Sequence, residues 1–217
     1  SADDLFAIRT LGFRGEALPS IASVARMEIV TRRDGDDCGT LVVVNGGEVT
    51  EVSDAGAPVG TSISVADLFF NVPARQKFLK SAQTEIGHVM ELVNRFALSH
   101  CEVDIALTHN EVFRSSGSNR LQDAILTVFG RDAAEAVMPI QGVSGPYKVH
   151  GYVSRPSFSK PNRSGQMFYV NRRFVRNRNL FHALDDAYRG ILPHGRFPLI
   201  VCFVEVTPEL VDVNVHP

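Results

Sequence analysis

Four short runs rich in β-branched residues follow one another closely early in the chain: MEIVT from Met27, TLVVVN from Thr40, EVTEVS from Glu48 and TSISV from Thr61. Strands this close in sequence leave no room for crossover helices, so they pair as antiparallel neighbours. Asn45-Gly46-Gly47 separates the second run from the third and predicts a tight hairpin, because glycine supplies the positive φ that such turns need. Ahead of the strands, a helix is expected from about Ala17. Pro19 is tolerated in its first turn, and Leu18, Ile21, Ala22 and Ala25 give it one apolar face.

Helical spacing returns in TEIGHVMELVNRFALSH, where Ile86, Val89, Met90, Val93 and Ala97 form a stripe. EVDIALT and EVFRSS form a second hairpin. SSGSN, residues 115–119, carries the strongest linker composition. Beyond it a helix is expected with Asn119 and Gln122 at capping-box spacing, Leu121, Ala124, Ile125, Val128 and Phe129 inward, and Gly130 at its end. Strands recur at YKVHGYVS, QMFYVN, LIVCFVEV and VDVNV. One more helix, NLFHALDDAYRGIL, places Leu180, Phe181, Leu184, Tyr188 and Ile191 inward. The pattern predicts an α+β chain of two domains, residues 1–116 and 117–217, with no internal repeat.

At 217 residues the chain can bury a substantial core, and 44% hydrophobic with 21% charged residues is ordinary for a water-soluble protein. A net charge of −2 provides no global field that would draw nucleic acid or a membrane surface. Cys38, Cys101 and Cys202 are odd in number and far apart, which suits a reducing compartment. No apolar run approaches the length of a membrane span. A cytoplasmic location is expected.

Chemistry concentrates in two places. Gly12 and Gly15 frame Phe13-Arg14 ahead of a helix, an arrangement in which backbone N–H groups approach an anion and the helix start adds partial positive charge. Spacing of this kind also occurs in plain turns. The second place runs from Arg155 to Arg178 and holds Arg155, Lys160, Arg163, Arg172, Arg173, Arg176 and Arg178 with no Asp or Glu between. Clustered cations of this kind neutralise nucleic-acid phosphates, and a solvated loop face is the alternative. Phe158, Phe168, Tyr169 and Phe174, interleaved with them, either stack on unpaired bases or face the core; alternation through QMFYVN favours the core. Pro73 rigidifies a turn in LFFNVPARQKFLK, with Arg75 open to a buried pairing role. The seven histidines show no ligand spacing, and no metal site is expected.

GFRGEALPSIASV (Gly12 to Val24), GTSISVADLFFNVPARQKFLK, FYVNRRFVRNRNLFHAL and VDVNVHP resemble, in that order, the blocks of the MutL/MLH/PMS family of DNA mismatch-repair proteins. The resemblance spans the whole chain. It implies part of a GHKL, or Bergerat-type, ATPase α/β sandwich in residues 1–116, followed by a ribosomal-protein-type β-α domain. Gly12, Phe13, Arg14, Gly15, Glu16, Ala17 and Leu18 would be phosphate-contacting positions of the ATP lid. Thr61 would lie at the base of the nucleotide pocket. The basic segment would be the DNA-proximal one.

The family's function would follow: an ATP-binding, DNA-binding switch that couples mismatch recognition to repair through ATP-dependent dimerisation, with Mg²⁺ as cofactor. Its partners would be DNA, a recognition protein of the MutS type and a second N-terminal region, in a bacterial cytoplasm at the nucleoid. In such proteins the water-activating glutamate, the Mg²⁺-holding asparagine and the adenine-reading aspartate precede the lid, and a γ-phosphate lysine follows VNVHP. The chain by itself is therefore expected to bind no cofactor and to hydrolyse no ATP. The competing reading is a non-enzymatic DNA-binding or scaffold module.

Overall fold

The computed structural model describes residues 16–207 and Leu210. Gly12, Phe13, Arg14 and Gly15 of the lid-like loop and the VDVNVHP block lie outside them. Contacts divide the described residues into two compact units, 16–85 and 86 onward.

The first unit opens with α1 (Ala17–Ala22), which starts at the expected residue with Pro19 in its first turn. Strands β1 (Arg26–Arg32), β2 (Gly39–Asn45), β3 (Glu48–Ala55) and β4 (Gly60–Ala66) form an antiparallel sheet in the order β3-β2-β1-β4. The hairpin between β2 and β3 turns on Gly46 and Gly47, at φ 60° and 94°. A register shift between Val43 and Val44 leaves Thr50 as the extra residue of β3. That bulge places Val49 and Val52, an odd number of residues apart, on one face. The result is two apolar rows across the sheet, Val49–Val44–Met27–Val65 and Val52–Val42–Ile29–Ile63.

α1 covers only the middle of this face, where Ala22 packs on Met27 and Val44. Of the helix face expected from spacing, Ala22 and Ala25 are buried, but Leu18 and Ile21 remain 43% and 38% exposed. Six residues span less than two turns and cannot shield a four-stranded sheet. Pro73 opens the one-turn helix α2 (Pro73–Gln76), and Arg75 stacks over Phe69 at 4.5 Å instead of entering a buried ion pair.

The second unit contains α3 (Ala82–Ser99, its first turn in the preceding unit), the hairpin β5 (Ile105–Thr108) and β6 (Val112–Ser115), then α4 (Leu121–Phe129) and α5 (Arg131–Ala136). Strands β7 (Val137–Ser144), β8 (Tyr147–Ser154), β9 (Ser159–Lys160), β10 (Gln166–Val170) and β11 (Arg173–Val175) follow. The described elements end with α6 (Arg178–Ala187), β12 (Phe197–Pro198) and β13 (Ile200–Glu205). The main sheet has the order β11-β10-β13-β8-β7, and its β10–β13 pair is parallel. A parallel pair needs a crossover, which α6 provides.

β10 and β13 are buried on both faces, so QMFYVN does not alternate. Met167, Tyr169, Val201 and Phe203 pack with Leu98 of α3, Ala124 and Ile125 of α4 and Ala133 and Ala134 of α5. On the other face Val153, Phe168, Ile200 and Cys202 pack against Leu184 of α6. Phe168 and Tyr169 are therefore core residues. In α3 burial concentrates at Ala97, Leu98 and Ser99, and Val89, expected inward, is 42% exposed.

Two helix starts differ from expectation. Arg120, in extended backbone and without a side-chain cap, precedes α4. Asn119 instead sits at φ 56° and donates its backbone N–H to Cys101 O at 2.9 Å, so it turns the chain and caps nothing. The neighbouring connection is tightly packed: Ser115 is buried, and a Cβ on Gly117 would lie 2.8 Å from the Glu102 carbonyl oxygen. α6 begins at Arg178 because Asn177 accepts from the N–H groups of Asn179 and Leu180. It ends at Ala187, which leaves Ile191 beyond the helix and 55% exposed.

Candidate functional site

In the first unit the blocks that begin GFRGEA and GTSISV meet at the junction of α1 and β1. The Asn71 side-chain amide donates to Ser23 O at 2.9 Å, and the Phe69 N–H donates to Val24 O at 2.7 Å. Asp67 and Phe69 take positive φ, 51° and 67°, to make that approach. Glu16 flanks α1 and makes no side-chain cap, and Ala17 and Leu18 are the first helical residues. The backbone donors at this end are thus not taken up by a capping side chain. Thr61 pairs with Thr31, hydroxyl to hydroxyl at 2.8 Å. Thr31 stands five residues along β1 from Arg26, roughly 17 Å from the end at which α1 delivers the chain.

In the second unit the basic run turns back on itself through the β10–β11 hairpin and spreads along the length of β10. At its start, Arg163 donates to both carboxylate oxygens of Asp185, at 3.0 and 2.7 Å, and to Gln166 Oε1 at 3.0 Å. Its guanidinium also lies 4.5 Å above the Phe197 ring. Lys160 points its ammonium at the Phe129 ring, 5.4 Å from the centroid. Arg155 is exposed, and its backbone N–H donates to Ala136 O.

At the other end of β10 lie Arg172 and Arg173, and the antiparallel register carries Arg176 and Arg178 back along β11, past the pairing of Val175 with Phe168. Asn171 and Arg172 form the two-residue turn into β11, both at positive φ, 46° and 67°. Neither is glycine, and such backbone costs about 1–3 kcal/mol per residue unless the surroundings hold it. The Asn171 amide donates to Val206 O at 2.8 Å and accepts from Val206 N at 3.0 Å, which locks the turn onto the end of β13. The side chains of Arg172 and Arg176 are 57% and 69% exposed. Arg173 is half-buried, and burial pushes its guanidinium pKa down. Arg178 is the first residue of α6 and exposed.

Sequence reading missed the acidic partners of this turn. Arg172 donates to Glu102 at 2.7 Å, and Arg176 to Glu91 at 3.3 Å. Glu91 also accepts from Arg95, one helical turn along α3. Arg95 in turn stacks on Phe174 at 4.1 Å, and its carbonyl oxygen accepts from the Tyr169 hydroxyl. The i,i+4 spacing of Glu91 and Arg95 was visible in the sequence; the pairing of Glu102 with Arg172, seventy positions apart, was not. A hydrogen bond from its own backbone N–H, and then Arg172, hold the Glu102 carboxyl below its usual range. Beside the turn opens a cavity of about 440 Å³, with Cys101, Asn119, His150, Tyr152 and Arg172 in its wall.

Residues 125–217 match the family described as DNA mismatch repair protein, C-terminal domain. The chain is 43% identical over its full length to DNA mismatch repair protein MutL of Symbiobacterium thermophilum, of which it covers 34%. It is 44% identical to the protein of that name from Limosilactobacillus reuteri, of which it covers 33%. It thus spans about a third of the length of these curated relatives. Among solved structures, the Aquifex aeolicus MutL ATPase domain complexed with ADP superposes with a TM-score of 0.69 at 28% identity, over 96% of this chain and 76% of that one. The B-subunit of DNA gyrase from Myxococcus xanthus shares the fold at a TM-score of 0.57 and 12% identity, over 100% of this chain and 70% of that one. With the four sequence blocks in order and identity sustained from end to end, the chain belongs to the MutL family of DNA mismatch-repair proteins.

Proposed function

We propose that this chain supplies the lid side of an ATP site and a DNA-holding surface to an ATP-driven mismatch-repair switch. The observation that carries the DNA assignment is the Asn171–Arg172 turn. It is locked in left-handed backbone with Arg172 and Arg173 at the hairpin end, and it turns the chain so that Arg176 and Arg178 follow along and beyond β11. Family membership supports this reading. Arg155, Lys160 and Arg163 extend the surface around the start of β10, where Arg163 also holds the fold together.

For the nucleotide, the donors that suit phosphate oxygens are the backbone N–H groups of the Gly12 to Leu18 segment, and Thr61 offers a hydroxyl. When bound, ATP with Mg²⁺ supplies the charge that draws these donors together. The half-covered sheet face agrees with a domain of more than one layer: Val49, Val52, Ile63 and Val65 are 61%, 64%, 44% and 45% exposed, and such rows need a second layer. We place the functional boundary near residue 117. In the whole protein, ATP would order the lid and bring two N-terminal regions together around DNA, in the cytoplasm and beside the nucleoid. A MutS-type recognition protein and downstream repair factors would be its partners.

The test is DNA binding by fluorescence anisotropy across a salt series. Arg172→Glu with Arg176→Glu is expected to weaken binding at least tenfold and flatten the salt dependence by about 0.9 per lost phosphate contact. Unchanged affinity and slope would refute the assignment.

A further inference from the structure

Arg172 at the hairpin end and Arg176 beyond β11 are already occupied, and by carboxylates. We propose that Glu102 and Glu91 occupy the positions of two DNA phosphates, so that DNA binds by displacing them from Arg172 and Arg176. The inference rests on the DNA-binding reading above and adds to it an internal competitor that sets affinity.

A carboxylate and a phosphate both offer a guanidinium anionic oxygen acceptors at the same hydrogen-bond distance. The Glu102 Oε1 at 2.7 Å from Arg172 Nη1 marks one such position, and the Glu91 Oε1 at 3.3 Å from Arg176 Nη2 marks the other. Both glutamates come from α3 or the turn that follows it, so a single element presents them to the hairpin.

Magnitudes favour exchange. Both pairs are exposed, and exposed pairs contribute only about 0.2–1 kcal/mol. A DNA phosphate gains the same Coulomb attraction and also releases condensed counterions. Neither glutamate is left without a partner. Glu91 keeps Arg95, which is held on Phe174, when Arg176 leaves. Glu102, whose side chain is 33% exposed, turns to water when Arg172 leaves.

The experiment measures binding of a fluorescein-labelled duplex oligonucleotide to the 217-residue chain and to its Glu102→Gln, Glu91→Gln and double variants. Each single change is expected to tighten binding roughly two- to fivefold, the worth of one exposed pair. The salt slope is expected to stay close to the parent's, because the same arginine–phosphate contacts form in every complex. Glu48→Gln, on an exposed residue of the first unit, makes the same change in net charge and is expected to bind like the parent. Equal tightening by Glu48→Gln would overturn the proposal in favour of bulk charge. Parent-like affinity in the double variant would also overturn it, provided that the Arg172→Glu, Arg176→Glu chain binds more weakly. If that arginine variant binds like the parent, the DNA reading itself fails. Thermal melting accompanies each variant. Should a Gln variant unfold, Glu102→Asp retains the charge but withdraws it from Arg172, and is expected to tighten binding by a smaller factor; no tightening there overturns the idea.

Discussion

The two carboxylate oxygens of Asp185 accept from the two terminal nitrogens of Arg163, which ties α6 to the start of β10. Both side chains are partly exposed, 40% and 34%, so the pair is worth about 1 kcal/mol after screening. Its bidentate form and the Phe197 stack depend on a planar guanidinium. Arg163→Lys is therefore expected to lower the melting temperature by a few degrees. Asp185→Asn should do the same. A thermal melt paired with an anisotropy titration separates this structural role from the DNA-facing role proposed for Arg172.

Gly151 sits at φ 143° in β8, where a Cβ would stand 2.0 Å from the Val201 carbonyl oxygen. The contact is with backbone, so a rotamer change cannot relieve it. Gly151→Ala combines backbone strain with overpacking, and is expected to destabilise the second unit by about 3 kcal/mol or more. Urea unfolding followed by circular dichroism measures the shift in midpoint.

The three cysteines should report burial in order. Cys38 is exposed, Cys101 is intermediate and Cys202 is buried, its thiol pushed up to about 11 by desolvation. Burial, and then the Glu102 charge, also raise the Cys101 thiol. At mildly alkaline pH a thiol reagent is expected to label Cys38 first and to reach Cys202 only as the chain unfolds. Peptide mapping after timed labelling gives the order directly.

Glu102 should give the second unit an acid-sensitive component. Its folded-state pKa lies below the ordinary value of 4.5. Its contribution is thus fully present above that value and is lost as pH falls through the folded pKa. The difference in melting temperature between the parent and Glu102→Gln is expected to stay constant from neutral pH down to about 5, and to shrink below about 4.5. A constant difference across the acid limb would contradict the pairing.

Local pattern made most elements legible. The glycine pair at Gly46-Gly47, the stripe of α4 and the apolar runs of β10 and β13 each carry their conformation in neighbouring residues. β7 carries no clear strand signal in its sequence because Pro139, Gln141 and Gly142 dilute its apolar content, as suits an edge strand. The parallel pairing of β10 with β13 depends on residues more than thirty positions apart, and no local signal encodes it. Composition located the basic segment but could not sort it. Arg163 and Arg172 look alike in sequence, and only the fold assigns Asp185 to one and Glu102 to the other. Asn119 shows the opposite failure: its capping spacing was real, but the chain needed it for a corner.

Asn171 and Arg172 gave up their backbone freedom when the chain folded, because both sit in left-handed conformation and the Asn171 amide bonds twice to Val206. An anion that docks on Arg172 therefore has no loop to order. Fixing the backbone of two residues costs about 2–4 kcal/mol, and a glycine-rich tip would lose that amount at each encounter. Here the entropy is lost once, at folding, and the tip meets every later ligand already stiff.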